Sequence, residues 1–332
     1  MTKIALVITA KNEERLLKRN IQYHFTIGVS KAYVYFDDAT DGGPESLLGL
    51  EGVDQQNSVE LSKYSNLEFL DKFTKLAHEH HTARQCLNTY DALLKSKRDG
   101  IDWLISIDAD ELVIVDKHKN EPIQKLFKNL DQNIDMVQFK VKEVAQRKLK
   151  YDNVFADETL FKYSRIFKNK FESPKKRIDD PFNKRTVKIS YWTGQWAGKA
   201  GVKVGSGIIP KNVHRYVKLN GDKIKKVSNG LLLHYQAFDK LDFKKKFTNF
   251  EKHPNHNLSG TYVGHTKLLW RDIVNSTTLN QKYIDEYFEN NVMFTEKEIR
   301  RMSSKKLGLF KRKEPAFETI SSVQKAFKNL VN

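Results

Sequence analysis

The chain has 332 residues, 39% hydrophobic and 30% charged, a globular balance that excludes fibrous and wholly disordered classes. Its single cysteine excludes an intrachain disulfide and a cysteine-rich zinc site. Lys and Arg number 58 against 41 Asp and Glu, and the net charge of +17 calls for an anionic partner: nucleic acid, an anionic membrane surface or an anionic small molecule.

The opening, MTKIALVITAKNEERLL, runs from a short apolar stretch straight into charge with no cleavage-site pattern, so it reads as a first strand. No run approaches the roughly 18 apolar residues of a membrane helix. A cytoplasmic protein, in peripheral contact with the inner face of the membrane, is the expectation. KIALVITA (3–10) is a continuous apolar run, as in a buried parallel strand. Residues 12–28 follow as a helix with Asn12 as N-cap and Gly28 at its end. KAYVYFDDATDGG (31–43) is a second strand ending in acids and a glycine turn. NLEFLDKF (66–73) reads as a third strand, and HTARQCLNTYDALLKSK (81–97) as a helix. DWLISIDADELVIV (102–115) then ends an apolar strand in Asp108, Asp110 and Glu111.

After residue 116 a short helix at 121–130 and an alternating strand at 135–146 lead into a loop-rich basic stretch at 151–230. Residues 230–250 read as a strand leading into a helix, and the rest as helical and basic, with much charge in EIRRMSSKKLGLFKRK (298–313). The fold class is therefore α/β with a mainly parallel sheet and a helical C-terminal extension. The expected division is a catalytic unit over 1–250, with 1–116 for the donor and 117–250 for the acceptor, and a basic helical region over 251–332.

A lone carboxylate in an apolar strand costs several kcal/mol or changes its protonation state. Asp108 and Asp110 therefore belong outside the strand end, where open α/β sheets bind ligands. Two such carboxylates suit Mg²⁺ or Mn²⁺, with coordination positions left for a diphosphate. The alternative for D-x-D is a polar turn.

The segment ALVITAKNEERLLKRNIQYHFTIGVSKAYVYFDDATDG resembles the opening of family-2-like glycosyltransferases of the GT-A fold, a Rossmann-related architecture. IDWLISIDADELV resembles their D-x-D segment, in the D-x-D-E form of a subgroup that also resembles family-92 glycosyltransferases. LLLHYQAFDKLDFKKK and GKAGVKVGSGIIPKNVH are similar to later segments of that subgroup. The resemblance implies a nucleotide-sugar donor, UDP-linked, held by Thr9, Asn12, Glu13, Asp37, Asp38, Asp41 and Asp108. It implies Asp108, Asp110 and His234 around Mn²⁺ or Mg²⁺. The acceptor it implies is a hydroxyl of a glycan or lipid-linked glycan, in bacterial surface polysaccharide synthesis with inversion at the sugar.

Departure of a sugar from a diphosphate develops negative charge that basic groups stabilise. Arg84 and Gln85, on the helix before D-x-D, are candidates, as are Lys199 and Arg215. An inverting transfer needs a base. Asp179 and Asp180 in RIDDPF, and Asp157 and Glu158 in ADET, are the candidates, with Glu111 a supporting residue. Trp196 and Lys199 in YWTGQWAGK, with His214, are acceptor-side candidates, Trp192 and Trp196 serving either as a sugar platform or as core. The HEHH run at 78–81 lacks the H-E-x-x-H spacing and reads as a polar loop. Two rival functions use the same features: a metal-dependent nucleotidyl or phosphoryl transferase, and a basic nucleic-acid-binding protein. No nucleic-acid-binding motif accompanies the charge, so no nucleic-acid partner is expected.

Overall fold

The computed structural model describes residues 2–167, 173–194, 197–304, 306–307, 310–311 and 314–330. In chain order the strands are β1 (Ile4–Ala10), β2 (Lys31–Phe36), β3 (Val53–Asn57), β4 (Trp103–Ile107), β5 (Glu111–Ile114), β6 (Met136–Glu143), β7 (Leu160–Lys162), β8 (Lys175–Asp180), β9 (Arg185–Ser190), β10 (Ala200–Lys203), β11 (Ile208–Asn212), β12 (Arg215–Lys218), β13 (Lys226–His234), β14 (Lys306–Leu307), β15 (Phe310–Lys311) and β16 (Phe317–Thr319). The helices are α1 (Leu17–Thr26), α2 (Gly43–Ser46), α3 (Asp71–Leu76), α4 (His81–Arg98), α5 (Val154–Asp157), α6 (Lys240–Asn249), α7 (His265–Val274), α8 (Gln281–Tyr287), α9 (Glu296–Ser303) and α10 (Ser322–Leu330).

One eight-stranded sheet runs β3-β2-β1-β4-β10-β6-β13-β5. The seams β3/β2, β2/β1, β1/β4 and β6/β13 are parallel, while β4/β10, β10/β6 and β13/β5 are antiparallel. The expected α/β class with a mainly parallel sheet is what forms. The apolar runs of β1, β2 and β4 are continuous because both faces of the sheet are covered. Ile4, Leu6 and Ile8 join Val34, Ile105 and Ile107 in a core with Leu17 and Ile21 of α1. Ala5, Val7, Tyr33, Tyr35 and Leu104 point the other way, onto Ala83, Leu87, Ala92 and Leu93 of α4. The last helix, α10, returns to the first core, where Phe327 stacks on Tyr23 and Phe155. A third core gathers Phe243 and Phe247 of α6, Trp270 and Ile273 of α7, Ile284 and Tyr287 of α8, and Ile178 of the β8–β9 hairpin.

Several local expectations are corrected. Residues 66–73 are a 3₁₀ turn (Glu68–Leu70) and the start of α3, and the third strand is VDQQN, β3. Its polarity hid it: an edge strand half open to solvent does not need an apolar face. Helix α1 begins only at Leu17, and Asn12, at φ 55°, sits in the preceding turn and does not cap it. The helix expected at 121–130 is a 3₁₀ turn at Ile123–Leu126, and the stretch 151–230 holds most of β7–β13. No helix among the described residues is long and apolar enough to cross a membrane.

Two buried ties set the position of the strand that follows D-x-D. The Val113 amide donates to His24 Nε2 at 3.1 Å. That amide is only a donor, so Nε2 accepts and Nδ1 carries the proton, which it gives to Asn20 at 2.9 Å. Asn20 Nδ2 in turn donates to the carbonyls of Ala109 and Glu111, at 2.9 and 2.7 Å. The polar groups of α1 thus clamp the backbone on both sides of Asp110.

Candidate active site

Because β1, β2 and β4 run parallel, their C-terminal ends share one edge, and Ile8 lies opposite Ile107 as Thr9 lies opposite Tyr35. Asp37 and Asp108 each follow the last residue of a strand, so the two acids come to one rim, as the sequence implied. Helix α4 fastens them through adjacent residues. Arg84 grips Asp37 with two bonds, Nε to Oδ1 at 2.5 Å and Nη2 to Oδ2 at 2.9 Å. Gln85 Nε2 donates to Asp108 Oδ1 at 2.5 Å. One turn on, Asn88 Nδ2 donates to Thr9 Oγ1 at 3.0 Å and to Ser58 Oγ at 3.1 Å. Arg84 is therefore the partner of an expected donor-binding acid and is not free for a diphosphate.

The D-x-D turn carries its own counter-charges. Lys199 Nζ, wholly buried, lies 3.0 Å from Asp108 Oδ1 and 3.8 Å from Glu111 Oε2. Burial opposes the charge on Asp108, but Lys199 outweighs it and holds that carboxyl below its usual range. Glu111 also accepts the Asp108 amide at 2.8 Å, as a supporting residue does. Burial, with Asp108 and Asp110 nearby, pushes Glu111 up to about 7 against the pull of Lys199. Asp110 faces a different set. Strands β5 and β13 pair with His234 opposite Glu111, and the Tyr235 amide donates to the Asp110 carbonyl at 2.8 Å. This brings His234 Nε2 to 3.5 Å from Asp110 Oδ2, across 124 residues of chain (234 − 110). Lys246 Nζ reaches the same oxygen at 2.5 Å. Burial would raise the Asp110 pKa, but Lys246 and His234 hold it well below the usual carboxylate range.

Behind His234 stands a buried pair, Glu143 and Lys162, both without solvent exposure. Glu143 accepts from the Gly194 amide at 2.5 Å and from Thr193 Oγ1 at 2.9 Å. A Cβ on Gly194 would lie 2.6 Å from Glu143 Oε2 and 3.0 Å from His234 Nδ1, so glycine is what the packing admits there. His234 Nδ1 is buried without a hydrogen-bond partner among the described residues.

Among the described residues no three His, Cys, Asp or Glu side chains form a ready metal cage. Asp110 and His234 could supply two ligands, an acid held well below its usual pKa range and an imidazole nitrogen 3.5 Å from it. That donor set fits Mn²⁺ or Mg²⁺ with positions left open for substrate oxygens. Asp108, engaged by Lys199 and Gln85, stands beside it.

The remaining expected residues separate into two groups. Asn12 accepts the Thr40 amide at 2.8 Å, and Asp41 accepts the Glu14 amide at 2.7 Å, so both order the loops at the ends of β1 and β2. Asp38 follows Asp37 at φ 53° and is exposed. Glu13 pairs with Lys245 at 2.5 Å. Burial, with Asp242 and Asp110 near, pushes Glu13 up to about 7 against Lys245. His214 Nδ1 bonds the Gly198 carbonyl at 2.9 Å, next to Lys199. Lys199 itself, expected on the acceptor side, is the counter-ion of Asp108. Trp196 lies outside the described residues.

The base candidates stand elsewhere. Asp180 is bound by Asn183 Nδ2 at 2.7 Å and by the amides of Phe182 and Asn183, closing the β8–β9 turn. Asp179 is exposed and accepts from Thr186 Oγ1 at 3.2 Å. Glu158, wholly buried, accepts from Arg147, Tyr151 and the amides of Thr159 and Leu160. None of the three makes a hydrogen bond or ion pair with Asp108 or Asp110 among the described residues. Sequence reasoning missed Asn88, Glu143 and Lys246. Only the H-Y…F…K spacing of residues 234–246 carried a signal for Lys246.

The family model described as Glycosyltransferase family 92 matches residues 10–261, well over half of the chain and including Asp37, the D-x-D turn and His234. The chain belongs to glycosyltransferase family 92. The rim just described lies outside the carboxyl ends of its parallel strands, where open α/β sheets bind ligands. A glycosyltransferase-like protein of Arabidopsis thaliana is 24% identical over 228 residues, 65% of this chain and 49% of that protein, so the chain spans about half the length of that relative. Among solved structures, glucosyl-3-phosphoglycerate synthase of Mycobacterium tuberculosis, in complex with Mn²⁺, UDP-glucose and phosphoglyceric acid, matches at 14% identity and TM-score 0.26, over 42% of this chain and 44% of that one. HddC of Yersinia pseudotuberculosis matches at 11% identity and TM-score 0.32, over 75% of this chain and 100% of that one.

Proposed function

We propose that this family-92 glycosyltransferase moves a sugar from a UDP-linked donor to a hydroxyl of a glycan or lipid-linked glycan, with Mn²⁺ or Mg²⁺ held by Asp110 and His234. The observation that carries the reading is the meeting of Asp110 Oδ2 and His234 Nε2 at 3.5 Å outside the ends of a parallel sheet. The divalent ion, when bound, supplies positive charge to the leaving diphosphate.

The chain's own residues supply the rest. Asp37, fixed by Arg84, presents its remaining lone pairs at the end of β2, where a base or ribose hydroxyl finds acceptors. Asp108, held by Lys199 and Gln85, stands between that position and Asp110. Lys267, half-buried, makes no side-chain hydrogen bond or ion pair among the described residues. Burial and the nearby Lys246 bring it down to about 8, while Glu143, Asp110 and Asp108 favour its charged form. It is a cation suited to an anionic leaving group. Inversion at the sugar is the stereochemistry we assign, and among the acids expected as base Asp157 and Asp179 are the exposed ones. Surface polysaccharide synthesis at the inner face of a membrane is the context, in keeping with the charge of +17.

The test is a thermal-shift screen of nucleotide sugars with and without Mn²⁺, followed by nucleotide release with the stabilising donor. The expected result is selective, metal-dependent stabilisation by one UDP-sugar. Asp110→Asn should reduce turnover by at least about a thousandfold while keeping the cooperative melt. Turnover by Asp110→Asn within tenfold of wild type refutes the assignment.

A further inference from the structure

Lys246 occupies a position with two consequences. Its ammonium lies 2.5 Å from Asp110 Oδ2, the oxygen that His234 Nε2 approaches at 3.5 Å. An ammonium and a divalent cation repel each other, and both require that oxygen. The place at which Asp110 and His234 converge is thus already held by a positive charge of the chain itself.

This placement is built into the fold. Helix α6 is fixed at its N-terminus by Asp239, whose side chain caps the Asp242 amide at 2.9 Å. The same carboxylate is gripped by Arg15 at 3.1 and 2.8 Å, from the segment that leads into α1. Phe243 and Phe247, on the adjoining face of α6, anchor it in the third core. Lys246 therefore projects toward Asp110 from a rigid helix, with a third of its side chain still exposed. Its neighbour Lys245 is used differently, bridging Glu13 at 2.5 Å and Asp242 at 2.9 Å. Helix α7 packs against α6, with the Phe247 and Trp270 ring centroids 5.5 Å apart, and carries Lys267 one turn before that contact; the Lys246 and Lys267 charges oppose each other. Two ammoniums held near each other, one of them without a hydrogen bond or ion pair among the described residues, define a place for an anion with several oxygens.

We propose that Lys246 is the displaceable counter-ion of Asp110: it holds the carboxylate while the crevice is free of donor, and it turns to the donor's diphosphate, beside Lys267, when a divalent cation takes Asp110. Metal and nucleoside diphosphate then enter as a unit, because the cation alone must evict an ammonium that has no other hydrogen-bond or ion-pair partner among the described residues. The inference rests on the reading of Asp110 as a cation ligand.

The experiment measures Mn²⁺ binding to the full chain, freed of metal by a chelator, by calorimetry or by loss of the free Mn²⁺ spectroscopic signal, without and then with UDP. Lys246→Met should bind Mn²⁺ alone at least about tenfold tighter than wild type, because the competing ammonium is gone. In the presence of Mn²⁺ it should bind UDP at least about tenfold more weakly. Lys246→Arg keeps the charge and grips a carboxylate with two donors, so it should bind Mn²⁺ alone more weakly than wild type. Lys240→Met removes the same charge from the same helix at the Asp285 pair, and should stay within about twofold of wild type.

Equal or weaker Mn²⁺ binding by Lys246→Met overturns the proposal, as does unchanged UDP affinity. If Lys246→Met does not fold, Lys246→Arg decides: Mn²⁺ binding equal to or tighter than wild type overturns it. Asp110→Asn separates the two levels. Loss of Mn²⁺ binding in that variant, with no gain in Lys246→Met, leaves the metal reading standing and removes only the exchange. Undiminished Mn²⁺ binding in Asp110→Asn removes both.

Discussion

Replacing Lys199 by Met tests whether the D-x-D turn is held by a buried counter-charge. Lys199 has no side-chain exposure and faces Asp108 at 3.0 Å and Glu111 at 3.8 Å, the latter 4% exposed and the former 40%. Methionine keeps the volume and removes the charge. Among the described residues Glu111 is then left with no ion-pair partner, and the Asp108 carboxylate keeps only Gln85. Removing one member of a buried ion pair costs about 3–5 kcal/mol. Asp108 recovers part of its solvation through its exposed side, so the lower end, about 3 kcal/mol, is the expectation for Lys199→Met. The assay is urea denaturation of wild type, Lys199→Met, Asp108→Asn and the double variant. Asp108→Asn removes the charge that Lys199 answers, so the double variant should be more stable than the sum of the two losses, with a coupling of about 1–3 kcal/mol. Additive losses, or a Lys199→Met cost below about 1 kcal/mol, would show that Asp108 is not positioned by this lysine.

Two further outcomes follow from the same elements. His24, fully buried and neutral, has its pKa lowered to about 4 by burial, against the Asn20 bond. Its stabilisation is therefore complete above the unfolded value near 6.5 and is lost as pH falls from there toward about 4, amounting to about 2 kcal/mol by pH 5. His24→Gln should flatten that part of the stability–pH curve in urea titrations, and an unchanged slope would assign the acid loss to other groups. Gly194→Ala should raise the Mn²⁺ concentration for half-maximal turnover by roughly 10–100-fold, because its Cβ, at 2.6 Å from Glu143 Oε2 and 3.0 Å from His234 Nδ1, must displace the Glu143 carboxylate and crowd the histidine. An unchanged Mn²⁺ dependence would mean that His234 does not hold the cation.

What could be read from the sequence follows from how local the physics is. The strands β1, β2 and β4 were visible because burial on both faces forces an unbroken apolar run, and the acids after β2 and β4 were visible because a carboxylate cannot remain inside such a run. A parallel arrangement then sends both ends to one rim with no further information. β3 was invisible because an edge strand with one solvent-facing side can be written VDQQN. The partnerships at the site were invisible for a different reason. Which cation answers Asp108 depends on β10 inserting antiparallel between β4 and β6, which places Lys199 opposite a residue 91 positions earlier. Which cation answers Asp110 depends on the angle at which α6 leaves β13, set by Arg15 and Asp239 across 224 positions. In FKKKF three lysines are chemically alike, and only the helix geometry sends Lys245 to Glu13 and Lys246 to Asp110. Two of the base candidates are accounted for by the same distinction. Glu158 and Asp180 each find several donors within a few residues of themselves, and an acid satisfied by its own turn has no free lone pair for a distant site. An acid at a strand end, with no local donors to fill it, must draw its partners from elsewhere in the chain, and that need is what makes Asp108 and Asp110 places where distant segments and a ligand meet.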